Sequence, residues 1–243
     1  MINPAKPFLL VLYLSLLAGC ALSPPQKTLS VVDRRLVDLA ISEWNYFGRQ
    51  ILRLDRDREI IDPVGYWEDE ALWAERVRQY WGAVGRPEIS GYDCKEPWSA
   101  AFISWLMKTA GVPGSQFRRS DAHWVYLDEI IEHSTRQDSR FMPHKLSEYR
   151  PGTGDLICAY REPEEKIRLL EAMSRIPPHT RLHCDVVVYH GGSYLEAIGG
   201  NVKNSVTKSV IPLDANAYLK PSAKRQWFMA VELKPDQDFR PEP

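Results

Sequence analysis

The sequence predicts an α+β domain, with N-terminal helices followed by an antiparallel sheet. Three observations point to it. Apolar residues recur at helical spacing in four segments before residue 134. From Pro151 onward, short runs rich in Val, Ile and Tyr take their place. Two of those runs flank Gly191-Gly192, a pair suited to a tight hairpin.

The chain opens with Lys6, an apolar run from Phe8 to Leu17, and Ala18-Gly19-Cys20. The run is too short to span a bilayer and has the length of a signal-peptide core. Leu17-Ala18-Gly19-Cys20 is similar to a bacterial lipobox, which implies cleavage before Cys20 and lipid attachment to it. Ala21 follows, where an aspartate would favour inner-membrane retention, so the expected place is the outer membrane, facing the periplasm. Residues 1–19 are therefore read as a signal peptide, 20–29 as a lipidated tether, and 30–235 as a single domain. Without Lys6 the formal charge moves from −1 to about −2. That balance gives no reason to expect a nucleic-acid partner. Eight tryptophans and eleven tyrosines fit a well-packed globule, or grooves that hold sugars or peptides.

A first helix is expected after Ser30, which with Asp33 has the spacing of a capping box. Its apolar face reads Val32, Leu36, Leu39, Ala40, Trp44, Phe47 and Ile51. The charged stretch from Arg53 to Glu59 is expected as a solvated exit from it. A second helix covers Glu70 to Val84, with Trp73, Val77, Tyr80, Trp81 and Val84 on one side. A third begins at Pro97, whose missing N–H suits the first helical position, and stops at Gly111. A fourth covers Asp121 to His133.

Strands are expected over Gly154–Tyr160, His183–Tyr189, Tyr194–Ile198, Asn204–Ile211 and Gln226–Leu233. A charged helical insertion, Pro163 to Arg175, separates the first two. After lipidation of Cys20, three thiols remain: Cys94, Cys158 and Cys184. Cys158 and Cys184 fall on strands expected to be neighbours, where either a disulfide or two buried thiols fits. The His and Cys residues lack the spacing of a zinc site, and no cofactor is expected.

The run Pro97-Trp98-Ser99-Ala100-Ala101-Phe102 resembles the nucleophile helix of the NlpC and CHAP amidase–peptidase superfamily, in which Pro-Trp-Cys-Ala-Ala-Phe is a common form. The order also matches: nucleophile helix, a Gly-Asp-Leu strand at Gly154, a strand opened by His183, then a hairpin partner. Together with Ser120-Asp121-Ala122-His123 and Ile198-Gly199-Gly200-Asn201, the pattern is similar to a family of bacterial proteins known only as a domain of unknown function. The likeness runs from Ser42 to Leu233. It implies a papain-like domain with Ser99 in the cysteine's place.

What the resemblance implies is a site. Ser99 would attack, in the first turn of a helix whose N-terminus favours a developing anion. His183 would serve as base, held by Asp185 two residues on along the same strand face, or by Glu196 from the neighbouring strand. Trp98, His123 and Asn201 would contact substrate. Cys94, in the loop before Pro97, is a second nucleophile option ranked below Ser99. The expected activity is hydrolysis of an amide or peptide bond in peptidoglycan or a related envelope substrate. The alternative is an envelope-binding pseudoenzyme using the same cleft, because a pocket shaped for a thiolate does not automatically activate a hydroxyl.

Overall fold

The computed structural model describes residues 28–55, 58–161, 175–220 and 222–235. The leader, Cys20 and most of the charged insertion at 163–175 lie outside the described residues. Four helices precede most of the sheet: α1 (Val31–Tyr46), α2 (Ala71–Gly82), α3 (Ser99–Ala110) and α4 (His123–His133). The strands are β1 (Ile51–Asp55), β2 (Arg58–Ile61), β3 (Phe141–Lys145), β4 (Leu156–Tyr160), β5 (Leu182–His190), β6 (Tyr194–Val202), β7 (Ser205–Pro212) and β8 (Gln226–Leu233). They form a sheet of order β2-β1-β7-β6-β5-β4-β8-β3. The α+β class therefore holds, but the sheet is mixed: β1 runs parallel to β7.

Helix α1 starts as its sequence dictates. The Ser30 hydroxyl accepts from Asp33 N at 3.1 Å, and Ser30 N donates to Asp33 Oδ2 at 3.2 Å. The Asp33 carboxylate also accepts from Arg140 at 2.8 Å, which fixes the helix to the start of β3. Helix α3 ends at Gly111, in the left-handed region at φ 93°. The N-terminal register differs from expectation, since Trp98 is the N-cap and Ser99 the first helical residue. Pro97 precedes the cap.

Two edges of the sheet depart from the sequence reading. The charged stretch after Arg53 is not a solvated exit: β1 and β2 pair antiparallel through Leu52↔Ile61 to Asp55↔Arg58. Leu52 and Leu54 of β1 turn inward while Arg53 and Asp55 point outward. Beyond it the short edge strand β2 carries Arg58 and Glu59, charges that discourage further pairing. Strand β3 contains Pro143, which only an edge position tolerates, and β3 lies at the other edge of the sheet.

One cluster of buried side chains joins all four helices to the sheet. Trp98, Phe102, Tyr80 and Phe47 form its aromatic centre, with Trp98 and Tyr80 stacked at 5.5 Å. Each fully buried large apolar side chain contributes roughly 1.5–3 kcal/mol. A second cluster, including Ile157, Val187, Leu195 and Trp227, gathers Leu146 and Leu219 from loops. Cys158 and Cys184 stand directly opposite in the β4–β5 register and form a disulfide.

Candidate functional site

Helix α3 presents a hydroxyl at its first residue. The N–H groups of Ser99, Ala100 and Ala101 have no intrahelical acceptor, because the first helical bond runs from Phe102 N to Trp98 O. Ser99 Oγ and His123 Nε2 lie 2.7 Å apart. Both residues belong to the wall of a cleft of about 640 Å3, shared with Cys94, Lys95, Trp124, Arg161 and Asn201.

One polar tie delivers His123 to that place. Ser104, five residues beyond Ser99 on α3 and buried, donates to Ser120 O at 2.8 Å and accepts from Ser120 N at 3.0 Å. Ser120 then accepts from Ala122 N through its hydroxyl at 3.1 Å. The Ser-Asp-Ala-His run is thus bonded to α3, and α4 begins with His123 facing Ser99. The other ring nitrogen of His123, Nδ1, is bonded to the Tyr126 hydroxyl, one turn on.

Charge in this cluster is arranged to keep the imidazole neutral. Burial, then the neighbouring His183 and Arg161, hold His123 well below the ordinary histidine range. Burial and the nearby Asp185 push the Tyr126 phenol well above its usual range, so it keeps its proton. For Nε2 to accept from Ser99, the imidazole proton must sit on Nδ1 with the Tyr126 oxygen accepting it. That is the tautomer a general base requires.

His183 occupies a different position from the one the sequence implied. It stands beside His123, with ring centroids 5.7 Å apart, and its Nε2 is bonded to Asp185 Oδ1 at 2.6 Å. The imidazole on Ser99 is His123, because Ser104 pins the start of α4 there and Asp185 engages His183. The other Asp185 oxygen, Oδ2, is buried without a hydrogen-bond partner. Glu196 is not the acid on His183: it pairs in register with Tyr189 and bonds Lys208 at 2.7 Å.

The Gly-Gly-Asn run of β6 is accounted for residue by residue. A Cβ on Gly199 would overlap Asp185 Oδ1 and come within 3.0 Å of His183 Nε2. One on Gly200 would stand 2.5–2.7 Å from Trp98 and Phe102. Asn201 adopts φ 56°, a left-handed backbone that asparagine tolerates. With its amide nitrogen toward Glu68, it donates to Oε2 at 3.2 Å while its oxygen accepts from Trp98 N at 3.1 Å. Trp98 Nε1 donates to the same Glu68 oxygen.

Trp98, expected as a substrate contact, does not line the cleft. It is 1% exposed and belongs to the core beneath the helix start. Glu68, buried and with its carboxyl pushed up mainly by that burial, went unremarked in the sequence. Only the fold shows that a loop acid lies under the Trp98 indole. Cys94 is an exposed free thiol on the cleft wall, its Sγ 3.5 Å from Gly91 O and 3.6 Å from Tyr92 O. Among the described residues no group of three His, Cys, Asp or Glu side chains is placed to hold a metal ion.

These features define an α+β protein with a serine–histidine pair at a helix N-terminus, open to a cleft. The chain belongs to the family described as "Uncharacterized protein conserved in bacteria (DUF2272)", which matches residues 64–232. No curated protein and no solved structure matches it.

Proposed function

We propose that this protein is a papain-like, lipid-anchored hydrolase that faces the periplasm and cleaves an amide or peptide bond in peptidoglycan or a related envelope substrate. The observation that carries this reading is the 2.7 Å approach of Ser99 Oγ to His123 Nε2 at the start of α3. Ser99 attacks the scissile carbonyl as its proton passes to Nε2. First-turn N–H groups of α3 face the developing oxyanion. Collapse breaks the C–N bond, and the proton on Nε2 goes to the leaving nitrogen. Water, deprotonated by His123, then hydrolyses the acyl ester and restores Ser99. The Tyr126 oxygen, bonded to Nδ1 of His123, holds the imidazole in place as it takes the proton.

Export is supported by the lipobox-like Leu17-Ala18-Gly19-Cys20 and by the Cys158–Cys184 disulfide, a bond that persists in oxidising compartments. Cys20→Ala should leave the protein out of the outer-membrane fraction. Unchanged processing and fractionation would remove the anchor from this reading.

A recognition cleft without turnover is the second reading. It is favoured by the burial of the pair, since Ser99 is 3% and His123 5% exposed. Digestion of purified peptidoglycan separates the two. Release of new amino or carboxyl ends by the wild type, lost in Ser99→Ala, supports hydrolysis. Saturable binding with no release by the wild type or by Ser99→Cys supports recognition alone.

A further inference from the structure

Among the described residues the cleft wall is cationic, although the chain as a whole is slightly acidic. Lys95, Arg161 and Arg181 belong to its wall, together with the uncharged Asn201 and Asn204. Among the described residues of that wall, the one acidic residue, Asp121, is held by Arg86 at 3.2 Å. Lys95 and Arg161 have no ion pair among the described residues, and both are exposed. Arg161 follows β4 and Arg181 precedes β5, with Arg161 N donating to Arg181 O at 3.0 Å, so the sheet pairing itself places two guanidinium-bearing residues at one end of the cleft. An exposed guanidinium such as that of Arg161 gains a charge-assisted hydrogen bond from an anion.

We propose that the cleft binds a peptide through its carboxylate, with Arg161 as the principal partner and Lys95 as the second cation. This rests on reading the cleft as a substrate site and names the chemistry of what enters it. Position links the subsite to the reacting pair, because Arg161 and His123 share the wall. The guanidinium charge is one of the influences that disfavour a proton on His123. A carboxylate on Arg161 offsets that influence, so the substrate's own charge strengthens the base that cleaves it. Fields of this sign also draw anionic ligands into a cleft.

The test is a titration of the Ser99→Ala chain, which holds ligand without consuming it. The probes are N-acetyl-tetraalanine with a free C-terminal carboxylate, the same peptide amidated, and inorganic phosphate. The free acid should bind about tenfold tighter than the amide, with the gap narrowing as salt rises. In an added Arg161→Gln background, folded by its melting temperature, the gap should shrink to about threefold or less. Equal affinities, no binding of either peptide, or a gap untouched by Arg161→Gln would overturn the proposal. So would saturable phosphate binding with no carboxylate preference, which would assign the subsite to a phosphoryl group. Turnover is not read in this titration, so a failure here is distinct from a failure of the hydrolase reading.

Discussion

Gly199 and Asp185 are so close that a methyl group on the glycine would overlap Asp185 Oδ1. The Asp185 side chain can lie over β6 and reach His183 only because the side chain of Gly199 is a hydrogen. Gly199→Ala must therefore push Asp185 away or separate β5 from β6. Overpacking of this kind costs about 1–3 kcal/mol. The variant should melt earlier, and the His183–Asp185 hydrogen bond should be lost, read as a changed His183 imidazole resonance. An unchanged melting temperature and resonance would show that the contact is easily relieved.

Glu68 is expected to act by positioning α3. Glu68→Ala leaves the Trp98 indole and the Asn201 amide without their buried acceptor, at about 1–3 kcal/mol for each unsatisfied group. Glu68→Gln retains an acceptor oxygen. Turnover and melting temperature should fall in the alanine variant and recover in the glutamine variant, with KM little altered in both. Loss of turnover in Glu68→Gln with the fold intact would instead require the charge.

Much of this was legible in the chain. The capping box, the Gly111 stop and the Gly-Gly hairpin rest on local chemistry, and each formed as read. The choice of imidazole was not legible, because it depends on a tertiary bond between Ser104 and Ser120 that no spacing announces. The resemblance implies Trp98 as a substrate contact, yet a helix start turns neighbouring side chains in different directions, and Trp98 faces the core. The edge strands were missed for a related reason. Charged and proline-bearing runs suit an edge, but the same composition suits a loop.

The pH dependence of stability carries a signature of His123. Its folded pKa is depressed by burial first, then by His183 and Arg161. The unfolded chain takes up a proton near pH ~6.5 that the folded state refuses. This group's contribution is therefore complete above that pH and is lost as pH falls below it. His123→Gln should flatten the decline in melting temperature between about pH 7 and pH 5. Parallel declines in both proteins would assign the effect to other groups.

The disulfide closes a loop with a sequence separation of 26 residues. Chain-entropy arguments give it about 3.5 kcal/mol. Reduction, or the double variant Cys158→Ala with Cys184→Ala, should lower stability by that order, while Cys94→Ser should leave both stability and turnover near wild type. A denaturant midpoint insensitive to reduction would contradict this.

The central claim is that His123 makes Ser99 a nucleophile, and covalent labelling tests it without a known substrate. A fluorophosphonate reacts by forming a bond from serine oxygen to phosphorus as fluoride leaves, and intact mass records one addition. The wild type should gain a single adduct at Ser99, with labelling abolished in Ser99→Ala, reduced at least about a hundredfold in His123→Gln, and reduced far less in His183→Gln. An adduct that survives Ser99→Ala, or labelling that depends on His183 and not on His123, would contradict the account.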